Sequence, residues 1–223
     1  MPRQIKRVKP LIYVFYEGES EQQYIDYLKN QFSDVAVIKR CAKRASTNLF
    51  EDTKSRFEKD KKYRDTAEAT DEIWFFFDAE LKDSSDEVWA DRLKIINYLR
   101  KLRKKPNIRV RLLMTSGCIE YWFMLHFKDC APPTQTEADK NNLVKDVKKI
   151  ISIYKKGDKD SIWQIAPNYP TAVKYAKKRL QNISEIPCIE DTDERNQWLC
   201  KYCVTFSTVF EALDFLESLS SVA

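Results

Sequence analysis

Glycine is scarce in this chain: Gly18, Gly117 and Gly157 are the only three in 223 residues, where average usage would give about 16. A sequence this sparing keeps glycine for tight turns and close backbone approaches, and two of the three follow directly on strand-like runs. Long apolar stretches are also missing. None approaches the roughly 18 residues of a membrane helix, which excludes a spanning segment on sequence grounds. The basic start, MPRQIKRVKP, carries no visible cleavage site and leads into a strand-length run, so no signal peptide is expected. No glycine-lysine-serine or glycine-lysine-threonine run exists, so any ATP requirement must come from a partner protein. The single histidine, His126, sits in an aromatic helical run and reads as a core residue. Six cysteines without a secretory signal suit a reduced, cytoplasmic setting. Cys200 and Cys203 form one CxxC, with Cys188 and Cys130 elsewhere, whereas structural zinc usually takes two such pairs. Zinc is therefore the lesser reading.

Charge is plentiful but nearly balanced, 39 basic against 34 acidic side chains for a net +5. That excess alone does not establish nucleic-acid binding. The first apolar run, Pro10–Tyr16, is rich in β-branched and aromatic residues and has strand length. It ends in Glu17-Gly18-Glu19-Ser20, after which Tyr24, Leu28 and Phe32 recur at helical spacing and Ser20 with Gln23 makes a capping-box pattern. A short strand is expected over Val35–Arg40 and a charged helix over Thr47–Tyr63. Ile73–Phe77 is apolar without alternation, the mark of a strand buried on both faces, and ends in Asp78-Ala79-Glu80. A helix follows over Asp86–Lys104, then a strand over Ile108–Thr115 and an apolar helix, Cys118–Phe127, whose burial in the core or use as a partner contact the sequence leaves open. This alternation predicts an α/β core over residues 1–130 with a mostly parallel sheet flanked by helices. Residues 131–223 read as a mainly helical extension packed on it, with helices over Glu137–Tyr154, Tyr169–Asn182 and Ser207–Leu219 and a loose segment over Glu185–Asn196.

In open α/β sheets functional groups gather at the carboxyl ends of strands. Three strands here end in acids: Glu17, then Asp78 with Glu80, then Glu120 just beyond Ser116-Gly117. Two residues apart on a strand, Asp78 and Glu80 point to the same side. Paired carboxylates repel unless a proton or cation lies between them, and hard oxygen donors select Mg²⁺ or Mn²⁺. Glu17, Asp78 and Glu80 are the expected metal ligands. Such an ion positions a water and stabilises the leaving oxygen of a phosphodiester. Gly18 and the amides opening the helix at Ser20 would meet a phosphate. Glu120 serves either the helix dipole or the site.

Val14–Glu21 (VFYEGESE), Phe75–Glu80 (FFFDAE) and Thr115–Phe127 (TSGCIEYWFMLHF), with the closing segment from Cys203, resemble the RloB-like family of bacterial Toprim proteins. The resemblance implies a Toprim-like fold and a metal-dependent nuclease of phage defence, often encoded beside an AAA-type ATPase that restrains or triggers it. RNA cleavage, tRNA-like, is inferred by analogy with a related Toprim class. Carried over by motif, Glu17 is a general base or metal ligand and Asp78 with Glu80 the metal-binding pair. Glu80 stands where the family has an aspartate and Ala79 where it often has an arginine, which shifts the metal geometry. Lys156, in a Tyr-Lys-Lys-Gly segment that also resembles the family, is a candidate to stabilise a pentacovalent phosphate.

From Arg92 to Arg111 the chain has basic residues and no acids. Arg100, Lys101, Arg103 and Lys104, expected beside the proposed site, are the candidates there for contacting phosphates without reading sequence. The alternatives are a DNA-nicking or DNA-cleaving enzyme, and a non-catalytic subunit that regulates an ATPase. A homodimer is compatible with either.

Overall fold

The computed structural model describes residues 8–44, 48–202 and 205–221. Four strands form one sheet: β1 (Leu11–Tyr16), β2 (Val37–Ala42), β3 (Thr70–Ala79) and β4 (Arg109–Ser116). All neighbours pair in parallel, in the order β2-β1-β3-β4. Helices α1 (Glu19–Gln31), α2 (Leu49–Lys59), α3 (Lys61–Arg64) and α4 (Asp86–Arg100) make the crossovers. After the sheet come α5 (Glu120–Leu125), α6 (Glu137–Ile150), α7 (Lys159–Ile165), α8 (Tyr169–Gln181), α9 (Asp193–Tyr202) and α10 (Phe210–Ser220). This is the expected α/β architecture, with every strand parallel.

The aromatic content of β1 and β3 explains why the sheet is covered on both faces. Phe15 stacks on Phe75, and Tyr13, Phe15 and Phe75 meet Phe57, Tyr63 and Phe50 of α2 and α3. On the other face Trp74 meets Phe215 of α10 edge to face. Period-2 alternation sends neighbouring rings to opposite layers, so a run such as Ile73–Phe77 fits only a strand with helices on both sides.

The C-terminal segment returns to the sheet. Thr208 Oγ1 donates to Leu112 O and accepts from Met114 N–H, each at 2.8 Å, and Ser207 bridges Thr115 in antiparallel fashion. The apolar run at Cys118–Phe127 resolves as core: Glu120 to Leu125 are all buried, while Phe127 is exposed.

Several boundaries differ from the sequence pattern. The charged helix splits into α2 and α3 at Asp60, whose backbone is extended; Thr47 lies outside the described residues. α4 ends at Arg100, where Ile108 N–H folds back to Arg100 O. α6 stops at Ile150, so Tyr154 sits in a loop. α7 and α9 fall where no helix is expected, and α9 is polar with only a weak apolar face (buried Leu199 and Cys200).

Gly117 adopts φ +77°, its N–H donates to Ala79 O at 3.0 Å, and a Cβ there would lie 2.5 Å from Thr134 O. It thus ties the ends of β3 and β4 to the segment leading into α6. Gly117→Ala is expected to cost more than about 2 kcal/mol, from a strained left-handed residue plus the clash. Urea unfolding measures it; a loss under about 0.5 kcal/mol would refute this account.

Candidate active site

The chain leaves β1 for β2 on one side of the sheet and later returns to β3 on the other, so the strand order reverses between β1 and β3. A crevice opens outside the carboxyl ends of strands at such a switch point. Glu17 follows β1 directly and Asp78 is the penultimate residue of β3. Both line a cavity of about 340 Å³ together with Gly18, Glu19, Ser20, Glu21, Ile119, Glu120 and Lys156.

Its acids are unevenly balanced. Glu120 is fully buried; Tyr154 Oη donates to its Oε1 at 2.7 Å, and its Oε2 has no hydrogen-bond partner. Lys156 Nζ stands 3.8 Å from Glu120 Oε1, but its side chain is 67% exposed, so water screens much of its charge. Glu21 is 6% exposed. Burial first, then repulsion from Glu120 and Glu17, pushes its carboxyl up to about 7. Burial likewise raises Asp78 well above the carboxylate range, followed by repulsion from Glu21, Glu120 and Glu80. Glu17 is exposed, with Lys43 at 4.0 Å.

A loop from the helical region closes the cavity. Gly157 N–H donates to Ser20 Oγ at 3.0 Å, with Gly157 at φ +72° and a Cβ there only 2.7 Å from Glu19 Oε2. Ser20 therefore does not cap α1. Gly18 holds the cap position with no side-chain bond, and Ser20 lies inside the helix holding the loop.

Glu17, Asp78, Gly18, Ser20, Glu120 and Lys156 all line the cavity, but Glu80 does not. Partial burial would raise Glu80, but hydrogen bonds from Lys140 and Lys82 outweigh it and hold the carboxyl below its usual value. Lys82 Nζ lies 2.5 Å away and Lys140 reaches across from α6. Glu21 and Glu120 take the place expected of Glu80. Glu21 was legible in principle, because it lies three residues before Tyr24 and so on the buried face of α1. Tyr154 was hidden by a pattern that continued α6 through it.

Arg100, Lys101, Arg103 and Lys104 lie at the other edge of the sheet, contrary to the expectation that they flank the site. A helix crossing back over a parallel sheet ends where the next strand begins, and Arg109 pairs with Glu72, about 20 Å along β3 from Asp78 at strand rise. There Arg100 makes two hydrogen bonds to Asp193 and Arg103 pairs with Asp71. Lys101 and Lys104 are exposed.

His126 is a core residue: Nδ1 bonds Trp122 O at 2.9 Å, and burial pushes its pKa down to about 4. Cys200 Sγ contacts Met114 Sδ and Cys188 Sγ contacts Thr192 Oγ1; Cys203 lies outside the described residues.

Among the described residues no three His, Cys, Asp or Glu side chains converge tightly enough to coordinate one ion as they stand. The cavity acids surround a space instead of clamping a point. Their chemistry nonetheless fits a hard divalent cation: oxygen donors only, mutual repulsion, and the unpartnered Glu120 Oε2.

A parallel α/β protein with an acid-lined cavity at its switch point defines the class. The family model described as RloB-like protein matches residues 12–209, and the chain belongs to that family. No curated protein and no solved structure matches it. Among the described residues no helix is long and apolar enough to cross a membrane.

The sign of the pH effect follows from Glu21. Its folded pKa, about 7, exceeds the ordinary 4.5, so the folded state binds more protons and stability falls as pH rises from about 4.5 through about 7. Glu21→Gln is expected to raise the unfolding temperature at pH 8 and leave it nearly unchanged at pH 4.5. Thermal melts across that range check it; equal effects at both pH values would refute the raised pKa of the buried carboxyl.

Proposed function

We propose that this protein is a Mg²⁺- or Mn²⁺-dependent endonuclease that cleaves phosphodiester bonds of nucleic acid at the Glu17–Asp78 cavity. The observation that carries the reading is the gathering of Glu17, Glu21, Asp78 and Glu120 around one cavity with a buried carboxylate oxygen left unpartnered. Carboxylates kept together at this energetic cost suit a function that brings its own positive charge.

A divalent ion held there would supply Lewis-acid chemistry towards a phosphodiester and a water. Asp78, Glu17 and Glu120 would hold it. Tyr154 fixes the rotamer of Glu120, leaving Oε2 as the donor atom. Glu21 and Asp78 retain protons more readily than ordinary carboxylates, and binding releases them. Lys156, exposed at the rim, would meet the charge that builds on the phosphoryl oxygens. Glu17, exposed at the cavity, would serve either as one of those holders or as the base that accepts the proton of the attacking water.

Analogy with a related Toprim class favours RNA, tRNA-like, over DNA, and the family resemblance favours a role as a phage-defence effector under an AAA-type ATPase. Glu80, bound by two lysines, supports the second reading of a non-catalytic subunit, because the second acid of the pair is already neutralised.

Two measurements test the proposal. Mg²⁺ at pH 8 is expected to raise the unfolding temperature by several degrees, an effect lost in Asp78→Asn. Purified protein with labelled tRNA and plasmid DNA is expected to cleave with Mg²⁺ or Mn²⁺, not with EDTA, and Glu17→Ala and Asp78→Asn to lose at least about a hundredfold in rate. Metal-independent cleavage, or cleavage that survives both substitutions, would end the nuclease reading.

A further inference from the structure

A second cavity, of about 270 Å³, lies on the far side of Glu17 and Asp78 and shares them as a wall. Its other lining includes Asn48, Phe50, Phe77, Lys82, Asp83 and Arg92. Arg92 on α4 is 8% exposed. One nitrogen, Nη2, binds Asp83, and the guanidinium carbon lies over Phe50 and Phe77 at 5.1 and 5.2 Å from the ring centroids. Nε and Nη1 are buried with no hydrogen-bond partner. Aromatic faces attract the charge, but they are poor acceptors for the N–H bonds. A guanidinium with unmet donors at a cavity wall is costly unless an acceptor arrives.

Two further features point to the sign of that acceptor. α2 opens at the cavity, with Asn48 capping it through Phe50 N–H at 2.9 Å, so the positive end of its dipole faces the same region. Lys82 stands at the rim, 71% exposed, its ammonium shared with Glu80 at 2.5 Å. Asp83 is not a competing charge, because Arg92 and Glu80 N–H (2.8 Å) already engage it. Nε–H and Nη1–H lie on opposite sides of the side-chain stem and donate singly, and charged N–H donors of this kind suit the oxygens of a phosphate.

We propose that the Arg92 cavity is a phosphate-binding pocket that holds the phosphate next to the one cleaved, with Arg92 and Lys82 as positioning residues. The proposal rests on the nuclease reading for its neighbour, Asp78, but not for its own chemistry. It makes the site two-sided. The acids of the first cavity take the metal and the reacting phosphate, and Arg92 and Lys82, set beyond the shared Glu17–Asp78 wall, fix the register of the strand. The basic run ending at Arg111 contributes Arg92 alone to the carboxyl edge.

The test uses the full chain carrying Asp78→Asn, which removes cleavage and one repelling charge. Fluorescence anisotropy of a labelled single-stranded oligoribonucleotide is read with Mg²⁺, with inorganic phosphate as competitor. Adding Arg92→Lys keeps a cation beside Asp83 but removes the Nε and Nη1 donors, and is expected to weaken binding about tenfold. Lys82→Ala, at an exposed site that folding does not depend on, is expected to weaken it about two- to threefold. Phosphate is expected to compete less well against the Arg92→Lys chain. Unchanged affinity in both variants overturns the proposal, as does failure of the parent chain to bind either probe. If Arg92→Lys lowers the unfolding temperature, Lys82→Ala decides alone. The nuclease reading fails separately: Arg92-dependent binding without any cleavage by the unsubstituted protein leaves the pocket and removes the hydrolysis.

Discussion

The structure turns on carboxylates buried at the sheet's switch point without matching positive charge. Raising Glu21 to about 7 costs on the order of 3 kcal/mol once it ionises, comparable to what burying one large apolar side chain contributes, about 1.5–3 kcal/mol. β1 and β3 supply many such side chains; Phe15, Trp74, Phe75 and Phe76 are all within 1% of full burial. An aromatic core of this density can carry a strained acidic cluster at one end, and the two belong to the same strands.

The opposite edge of the sheet shows that this chain can neutralise buried charge when nothing else is asked of it. Glu72 accepts two hydrogen bonds from Arg111, at 2.6 and 2.9 Å, and one from Trp74. Arg195, fully buried, bonds Ile189 O, Asn196 and Glu211. Even Glu80, two residues from Asp78, receives two lysines. Glu211 keeps one oxygen unpartnered and a carboxyl raised to about 7 even beside Arg195, but among the described residues the buried acids with no hydrogen-bonded cation, Glu21 and Glu120, both line the cavity.

How legible this was depended on whether a feature is set by local pattern or by tertiary contact. β1, β3 and β4 announced themselves because a strand between two helical layers must be apolar throughout, and the acids at their ends followed from strand direction. Parallel topology was equally accessible, since each strand is followed by a helical period. What the sequence hid came from residues that break their own local pattern for a distant partner. Tyr154 continues the helical spacing of Val147 and Ile151 but leaves α6 to reach Glu120. Ser20 has the composition of a cap and instead binds Gly157. The basic stripe misled because charge along a sequence says nothing of which sheet edge it reaches; α4 runs from the carboxyl edge to the amino edge, so only its earlier residues, Arg92 among them, lie near the acids.

The helical region after residue 130 is part of the site and not an appendage to it. Lys140 binds Glu80, Tyr154 orients Glu120, Lys156 faces the cavity and Gly157 closes on α1. Removing these residues would leave Glu120 with both oxygens unmet in the core, where an unpaired carboxylate is hardest to accommodate. The sheet provides the acids and the later helices decide which of them stay free: Lys140 withdraws Glu80, while Tyr154 engages only one oxygen of Glu120. The second acid of the Asp-Ala-Glu run is thereby replaced by one from α5, brought to the same cavity by the turn at Gly117. The set of acids lining the cavity is thus a property of the folded chain as a whole, and the two-residue spacing of Asp78 and Glu80 supplies only one of them.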